Sequence, residues 1–256
     1  MKNIKIKSLK VIVFLLLFLA AVSYAKNNPS TTIPKNFYVY KDSLKLTTDM
    51  YIGKLKLEHM NSLNYYPYFS GLIEHESCIS LTHSRCWSAK AELNTKWPNG
   101  KQREQGIGFG QITRAYTEAG AIRLDVLNDL KKRFPSDLSE LTWNNIRDKP
   151  ALQMRAIMLL WIDNYKRLPN HISEFDRMAM SDSAYNGGYG FILKDRKTCG
   201  LKAGCDANLW FNNVETINNR GNKILYANRT ANEINRHHVR DVLLTRMSKY
   251  YTIDWD

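Results

Sequence analysis

The chain contains four cysteines in two close pairs, and their spacing constrains the fold more than any other feature. An even number of cysteines in an exported protein predicts disulfides, so we expect Cys78–Cys86 and Cys199–Cys205. Short loops gain little stability from cross-linking, which indicates that each bond holds a local loop shape. A zinc site made of the four thiolates is the alternative, but the usual C-x2–4-C spacing is missing.

The N-terminus predicts export. Four lysines lie in the first ten residues, an apolar run covers 11–22, and Ser23 and Ala25 place small residues before a cleavage site. The run is shorter than the about 20 residues of a membrane-spanning helix. We therefore predict a cleaved signal peptide at 1–25 and a periplasmic or secreted protein with no stable membrane span. An uncleaved anchor is the alternative.

The charge predicts an anionic partner. The 256 residues carry a formal net charge of +13, and removing the leader takes away four lysines and no acid, which leaves +9. An exported protein meets the cell wall more readily than nucleic acid, so we expect a wall polymer and no nucleic acid. Because the basic residues are scattered, a merely solvated basic surface is the alternative.

The distribution of apolar residues predicts a mainly α fold. Helical spacing begins near Tyr65 and recurs over 113–130, 151–165, 175–185 and 231–251. Residues 77–110 predict long loops that can form a cleft, with one short helix near 89–95. Residues 26–60 form an N-terminal linker or extension, in which 37–60 show no clear period. Residues 61–256 form the main domain.

Glu76 is the candidate acid on the first of these helices. Helical geometry places it within about 40° of Tyr65, Phe69 and Leu72, whereas Glu74 points the other way. We therefore expect Glu74 in solvent and Glu76 on the apolar side. Apolar surroundings and a helix C-terminus both raise a carboxyl pKa, as a general acid requires. The alternative is a glutamate that extends into solvent at the helix end.

Two further motifs predict a ligand cleft. Alternating glycines lead to Gly110 and Gln111, which indicates a closely approached backbone with an amide for a polar ligand. The spacing does not fit a dinucleotide fingerprint, and a flexible loop is the alternative. Residues 184–188 (AYNGG) end an apolar helix with a turn. They form a helix cap, or they place Tyr185 and Asn186 at the cleft edge as hydrogen-bond donors.

We expect no metal and no cofactor. His75 and Glu76 begin an H-E-x-x-H motif, but Ile79 occupies its last position. His237 and His238 are neighbours that point in different directions, so we expect them to be surface or capping residues. A serine nucleophile is not favoured, because no G-x-S-x-G occurs.

Together, the three motifs resemble those of the soluble lytic transglycosylases. Residues 72–77 (LIEHES) resemble the family's hydrophobic pair followed by Glu-Ser, 108–112 (GFGQI) its Gly-Leu-Met-Gln-Ile, and 184–188 its Ala-Tyr-Asn-Ala-Gly. The resemblance covers about residues 65–190. The cysteine-containing segments look like a subgroup found in phage and mobile-element lytic enzymes.

This resemblance implies a lysozyme-like α fold with a glycan-binding cleft. The implied substrate is peptidoglycan, cleaved at the β-1,4 bond between N-acetylmuramic acid and N-acetylglucosamine with formation of 1,6-anhydro ends. Glu76 would be the general acid/base, and Tyr185 would orient it or stabilise the substrate acetamido group. Gly110, Gln111 and Asn186 would line the sugar subsites.

The chain departs from the family pattern in ways that keep alternatives open. Phe109 and Gly110 replace Leu-Met, and a long polar insertion contains Glu92 and Glu104. If either carboxylate faced Glu76 across the cleft, water could be activated and a hydrolytic lysozyme would result. A non-catalytic wall-binding or assembly protein is the third possibility.

Overall fold

The first feature of the fold is a central helix that is apolar on almost every side. Helix α2 (Ser62–Ser77) carries the fully buried Tyr65 and Phe69, whose rings lie 5.6 and 5.5 Å from that of Trp161. A helix that is apolar all round has no solvent face and is packed on all sides. The other elements of the core therefore pack around this helix.

The computed structural model describes residues 31–53, 62–226 and 228–256. The α-helices are α1 (Phe37–Ile52), α2, α3 (Val126–Arg133), α4 (Pro135–Leu138), α5 (Pro150–Lys166), α6 (Glu174–Gly187), α7 (Tyr189–Gly200), α8 (Ala231–Arg240) and α9 (Met247–Tyr250). Short 3-10 helices cover Ile146–Asp148 and Val214–Thr216, and a π-helical segment covers Asp241–Arg246. Residues Thr32–Asp256 form one compact unit.

A four-stranded antiparallel sheet corrects the prediction of a mainly α fold. The strands are β1 (Glu92–Lys96), β2 (Gln102–Ile107), β3 (Ile112–Tyr116) and β4 (Ile122–Asp125), in the order β1-β2-β3-β4. A short hairpin pairs Ile224–Tyr226 with Arg229–Thr230. About half of the described chain is helical, so the fold is mixed α/β.

The expected short helix near 89–95 is therefore wrong, and strands β1 and β2 replace part of the loops expected over 77–110, although 78–91 contain no helix or strand. Of the helix expected over 113–130, only 126–130 is helical, as the start of α3. The strands are polar and mostly not fully buried, so they lack a clear apolar alternation. The better signal is Asn99-Gly100, a typical hairpin turn, in which Gly100 has φ +80°. Glu104 pairs with Thr95 across this hairpin.

The remaining predicted helices are confirmed as α2, α5 and α6, and as the run of α8, the π-helical segment and α9. This last run packs against α2. Gly71 makes the approach possible, since a Cβ there would lie 2.9 Å from the backbone nitrogen of Met247. The C-terminal helices therefore cover the same part of α2 that carries Glu74 and Glu76.

Helix α1 occupies a stretch for which the sequence showed no clear period. Its Phe37 and Leu44 are fully buried, and the Phe37 ring lies 5.0 Å from that of Trp87 and 5.1 Å from that of Tyr250. Helix α1 is therefore packed into the same core as the main domain.

The two predicted disulfides, Cys78–Cys86 and Cys199–Cys205, are confirmed. The first closes the loop that leaves α2, where the backbone N–H of Trp87 donates to Ser77 Oγ at 3.0 Å. Both bonds are compatible with an exported protein.

The predicted signal peptide lies outside the described residues. Within the described ranges, no helix is both long and apolar enough to cross a membrane.

Candidate active site

Glu74 is buried, which corrects the expectation that it faces solvent. It is 1% exposed, and its carboxylate accepts from Arg246 Nη1 at 2.8 Å, Lys249 Nζ at 2.7 Å and Tyr250 Oη at 2.5 Å. The expectation failed because the C-terminal helices cover the side of α2 that carries Glu74, and they supply the cations that pair with it. Glu74 is therefore held in a structural ion-pair network.

Glu76 instead faces an open cleft of about 960 Å³. The cleft lies between the end of α2, the sheet and the end of α6. It is lined by all the residues that the three motifs selected, namely Glu76, Gly110, Gln111, Tyr185 and Asn186. Residues more than 100 positions apart in the chain are thus brought to one surface.

The Glu76 carboxylate contacts a buried histidine that the sequence analysis misassigned. His238 is 1% exposed, not a surface residue, and its Nε2 lies 2.9 Å from Glu76 Oε1. Its Nδ1 lies 2.7 Å from Asp182 Oδ2, and Asp182 Oδ1 accepts from Tyr68 Oη at 2.8 Å. Glu76 therefore has a charged polar partner as well as the apolar side of α2.

His75 lies beside this chain of contacts. Its ring centroid is 4.3 Å from that of His238, and its Nδ1 lies 2.6 Å from Asp241 Oδ2. Burial lowers the pKa of His75, and the neighbouring His238 charge lowers it further. Two positive imidazoles side by side are therefore disfavoured. Within the described residues, no group of three or more His, Cys, Asp or Glu side chains could hold a metal ion.

Tyr185 and Gly110 form a direct link between α6 and the glycine motif. Tyr185 Oη donates to the Gly110 carbonyl at 2.7 Å, and a Cβ at position 110 would lie 2.3 Å from that hydroxyl. Burial, with the nearby carboxylates of Glu76 and Asp182, raises the pKa of Tyr185 well above its ordinary value. Tyr185 therefore stays a neutral donor, and glycine at 110 leaves room for its hydroxyl.

Gln111 is held in an uncommon backbone conformation. Its φ is +47°, in the left-handed region that non-glycine residues seldom adopt and that is enriched at functional sites. Its Nε2 donates to the Gly108 carbonyl at 2.9 Å, whereas its buried Oε1 accepts no hydrogen bond from any described residue. Gln111 therefore lines the cleft with its Oε1 buried beneath the surface and without a partner in the described part of the chain.

Asn186 is exposed at the end of α6. Its Oδ1 accepts from Asn235 Nδ2 at 3.0 Å, which fixes the amide orientation. Its Nδ2 donates to none of the described residues, so its N–H groups are free for a ligand.

The two candidate second carboxylates differ in position. Glu104 lines the cleft and lies 3.6 Å from Arg123 Nη2. Glu92 is not part of the cleft lining and pairs with Arg147. The hydrogen bond from Arg147 and that from Gln105 lower the pKa of Glu92 to about 2, so it holds no proton near neutral pH.

Sequence reasoning selected the cleft residues but missed His238 and Asp182. The sequence signal for His238 was weak. Asn235 and His238 are three residues apart and therefore share one face of α8, which the structure shows to be buried.

The sequence matches no protein-family model, and no curated protein is significantly similar to it.

Proposed function

We propose that this protein cleaves the glycan strands of peptidoglycan as a lytic transglycosylase, with Glu76 as general acid and base. The observation that carries the proposal is the meeting of Glu76 with Gly110, Gln111, Tyr185 and Asn186 in one cleft. These residues come from three separate motifs whose order resembles the transglycosylase pattern. The volume of the cleft is at the upper end of the roughly 300–1,000 Å³ that ligand sites span, which suits several sugar rings.

The proposed reaction uses one carboxylate twice. Glu76 donates its proton to the glycosidic oxygen as the bond from that oxygen to the muramic C1 breaks. The ionised Glu76 then accepts the proton of the muramic 6-hydroxyl as O6 bonds to C1, which leaves a 1,6-anhydro end and restores the protonated acid. Asn186 Nδ2 donates to a substrate oxygen, and Gln111 forms part of the cleft wall that the substrate contacts.

Hydrolysis by a lysozyme-type mechanism is the second candidate, favoured by Glu104 in the lining of the same cleft. A second carboxylate across from the acid could activate water, as in inverting glycosidases. Mass spectrometry of fragments released from purified peptidoglycan separates the two reactions. We expect anhydromuramic ends; fragments heavier by one water would support the hydrolase instead.

The contact between Tyr185 and Gly110 gives a further prediction. In Gly110→Ala, the new Cβ would lie 2.3 Å from the Tyr185 hydroxyl and 2.4 Å from Ile157 Cγ1. It displaces the hydroxyl and breaks its hydrogen bond, so we expect the rate of wall lysis to fall roughly ten-fold. Tyr185→Phe is the matched control, because it removes the same hydrogen bond without adding a Cβ. A turbidity assay should show a loss in Tyr185→Phe and at least as large a loss in Gly110→Ala, which also crowds Ile157. Wild-type lysis by both variants would contradict a role for this contact.

A further inference from the structure

His238 is held between two carboxylates as a fixed cation. Its Nδ1 faces Asp182 at 2.7 Å and its Nε2 faces Glu76 at 2.9 Å. Burial lowers the pKa of His238, but the charges and hydrogen bonds of the two carboxylates outweigh burial and raise it to about 10. The ring is therefore an imidazolium near neutral pH, and both of its nitrogens can only donate.

Asp182 and Tyr68 fix the orientation of the His238 ring on the side away from Glu76. Asp182 is fully buried, and its second oxygen accepts from the fully buried Tyr68 hydroxyl at 2.8 Å. Burial and the Asp182 charge raise the pKa of Tyr68 well above its ordinary value, so Tyr68 remains a donor. With both Asp182 oxygens engaged, the ring of His238 cannot turn without losing a charged hydrogen bond.

This arrangement makes the two oxygens of Glu76 unequal. Oε1 accepts from His238, whereas no described residue donates to Oε2. The Glu76 side chain is 15% exposed, and it lines the cleft. An imidazolium cannot accept a hydrogen bond. When Glu76 is protonated, its proton therefore cannot lie between Oε1 and His238 Nε2.

We propose that His238 is a positioning residue that directs the reactive proton of Glu76 to Oε2, the oxygen that meets the glycan. The inference rests on the proposed function, because it assigns a role within the Glu76 acid/base step. His238 keeps its bond to Oε1 whether Glu76 is protonated or ionised, so the carboxyl stays aligned through both halves of the reaction. Alignment of this kind matters, because small displacements of a reacting group cost about 100-fold in rate.

The other charged and titratable groups near His238 do not replace this role. His75 on α2 packs its ring against His238, but Asp241 occupies its Nδ1 and burial disfavours its charge. His237, on the same helix as His238, is largely exposed, and the partial burial of its ring lowers its pKa as well. Among the described residues, His238 alone hydrogen-bonds to Glu76.

Two substitutions at position 238 test the proposal by the kinetics of wall digestion. The amide of His238→Gln can still donate to Oε1, so we expect its kcat at the optimum to stay within about ten-fold of wild type. His238→Phe can donate nothing, and we expect kcat to fall roughly 100-fold with KM nearly unchanged.

The split between kcat and KM supplies a readout that a merely structural role would not change. Loss of alignment lowers kcat and leaves KM nearly unchanged, because binding of the glycan does not depend on His238. The amide of His238→Gln restores a donor to Glu76 Oε1, so this variant should recover most of the kcat that His238→Phe loses.

The outcomes separate this inference from the proposed function. A wild-type kcat in a folded His238→Phe, or a kcat in His238→Gln no higher than in His238→Phe, would overturn the role of His238. If His238→Phe does not fold, a folded His238→Gln decides alone, and a kcat more than about ten-fold below wild type would overturn the role. Full lysis by Glu76→Gln would overturn the proposed function itself, and with it the inference.

Discussion

Replacing Glu76 with glutamine is expected to lower the rate of peptidoglycan cleavage by roughly 10²–10⁴-fold, the usual contribution of general acid–base catalysis. Glutamine has nearly the same shape, and its carbonyl can still accept from His238 Nε2. It carries no acidic proton, so it cannot protonate the leaving oxygen. The melting temperature should therefore stay close to that of wild type while release of soluble fragments is lost.

Glu104→Gln is the matched control, because it makes the same change in the lining of the same cleft. A transglycosylase needs one carboxylate, so this variant should retain most of its activity. Loss of activity in both variants, with hydrolysed ends in the wild-type products, would favour the two-carboxylate mechanism. Retained activity in Glu76→Gln would contradict the assignment of Glu76.

Glu74→Ala is expected to have the opposite phenotype, with a large loss of stability. The variant leaves Lys249, which is almost fully buried, and Arg246 without their shared carboxylate. Removing one member of a buried ion pair costs roughly 3–5 kcal/mol of unfolding free energy. For a domain of this size, that corresponds to a melting-temperature decrease on the order of 10 °C.

Urea unfolding followed by circular dichroism measures this effect under non-reducing conditions. Glu140→Ala is the control, because Glu140 is exposed and its side chain pairs with none of the described residues. Its effect should stay within about 0.5 kcal/mol. If Glu74→Ala unfolded at the wild-type urea concentration, the contacts with Lys249 and Arg246 would not stabilise the fold.

The comparison of Glu74 with Glu76 shows what periodicity can and cannot predict. Their different directions follow from helical geometry alone, and the two side chains do face different surroundings. The nature of those surroundings does not follow, because it depends on what packs against α2. Arg246 and Lys249 come from more than 170 positions further along the chain, and no local pattern indicates that they meet Glu74.

The sheet and His238 were missed for related reasons. Polar strands such as β1 and β2 are stabilised by pairing with each other, and apolar alternation detects only strands with one buried face. His238 is buried because two carboxylates compensate its charge, and one of them, Asp182, looks like any polar residue in a helix. The disulfides and the long amphipathic helices could be predicted, since their signals are local.

The packing of α2 against the C-terminal helices also has a consequence for the order of folding. Glu76 lies in the first third of the chain, but its contact His238 is 162 positions away. Contacts of such long range form late, after the loop between them has closed. A growing chain therefore presents Glu76 without its imidazolium, and the Glu76 carboxyl gains this contact only when α8 docks. The completion of the site would thus be timed by the docking of α8.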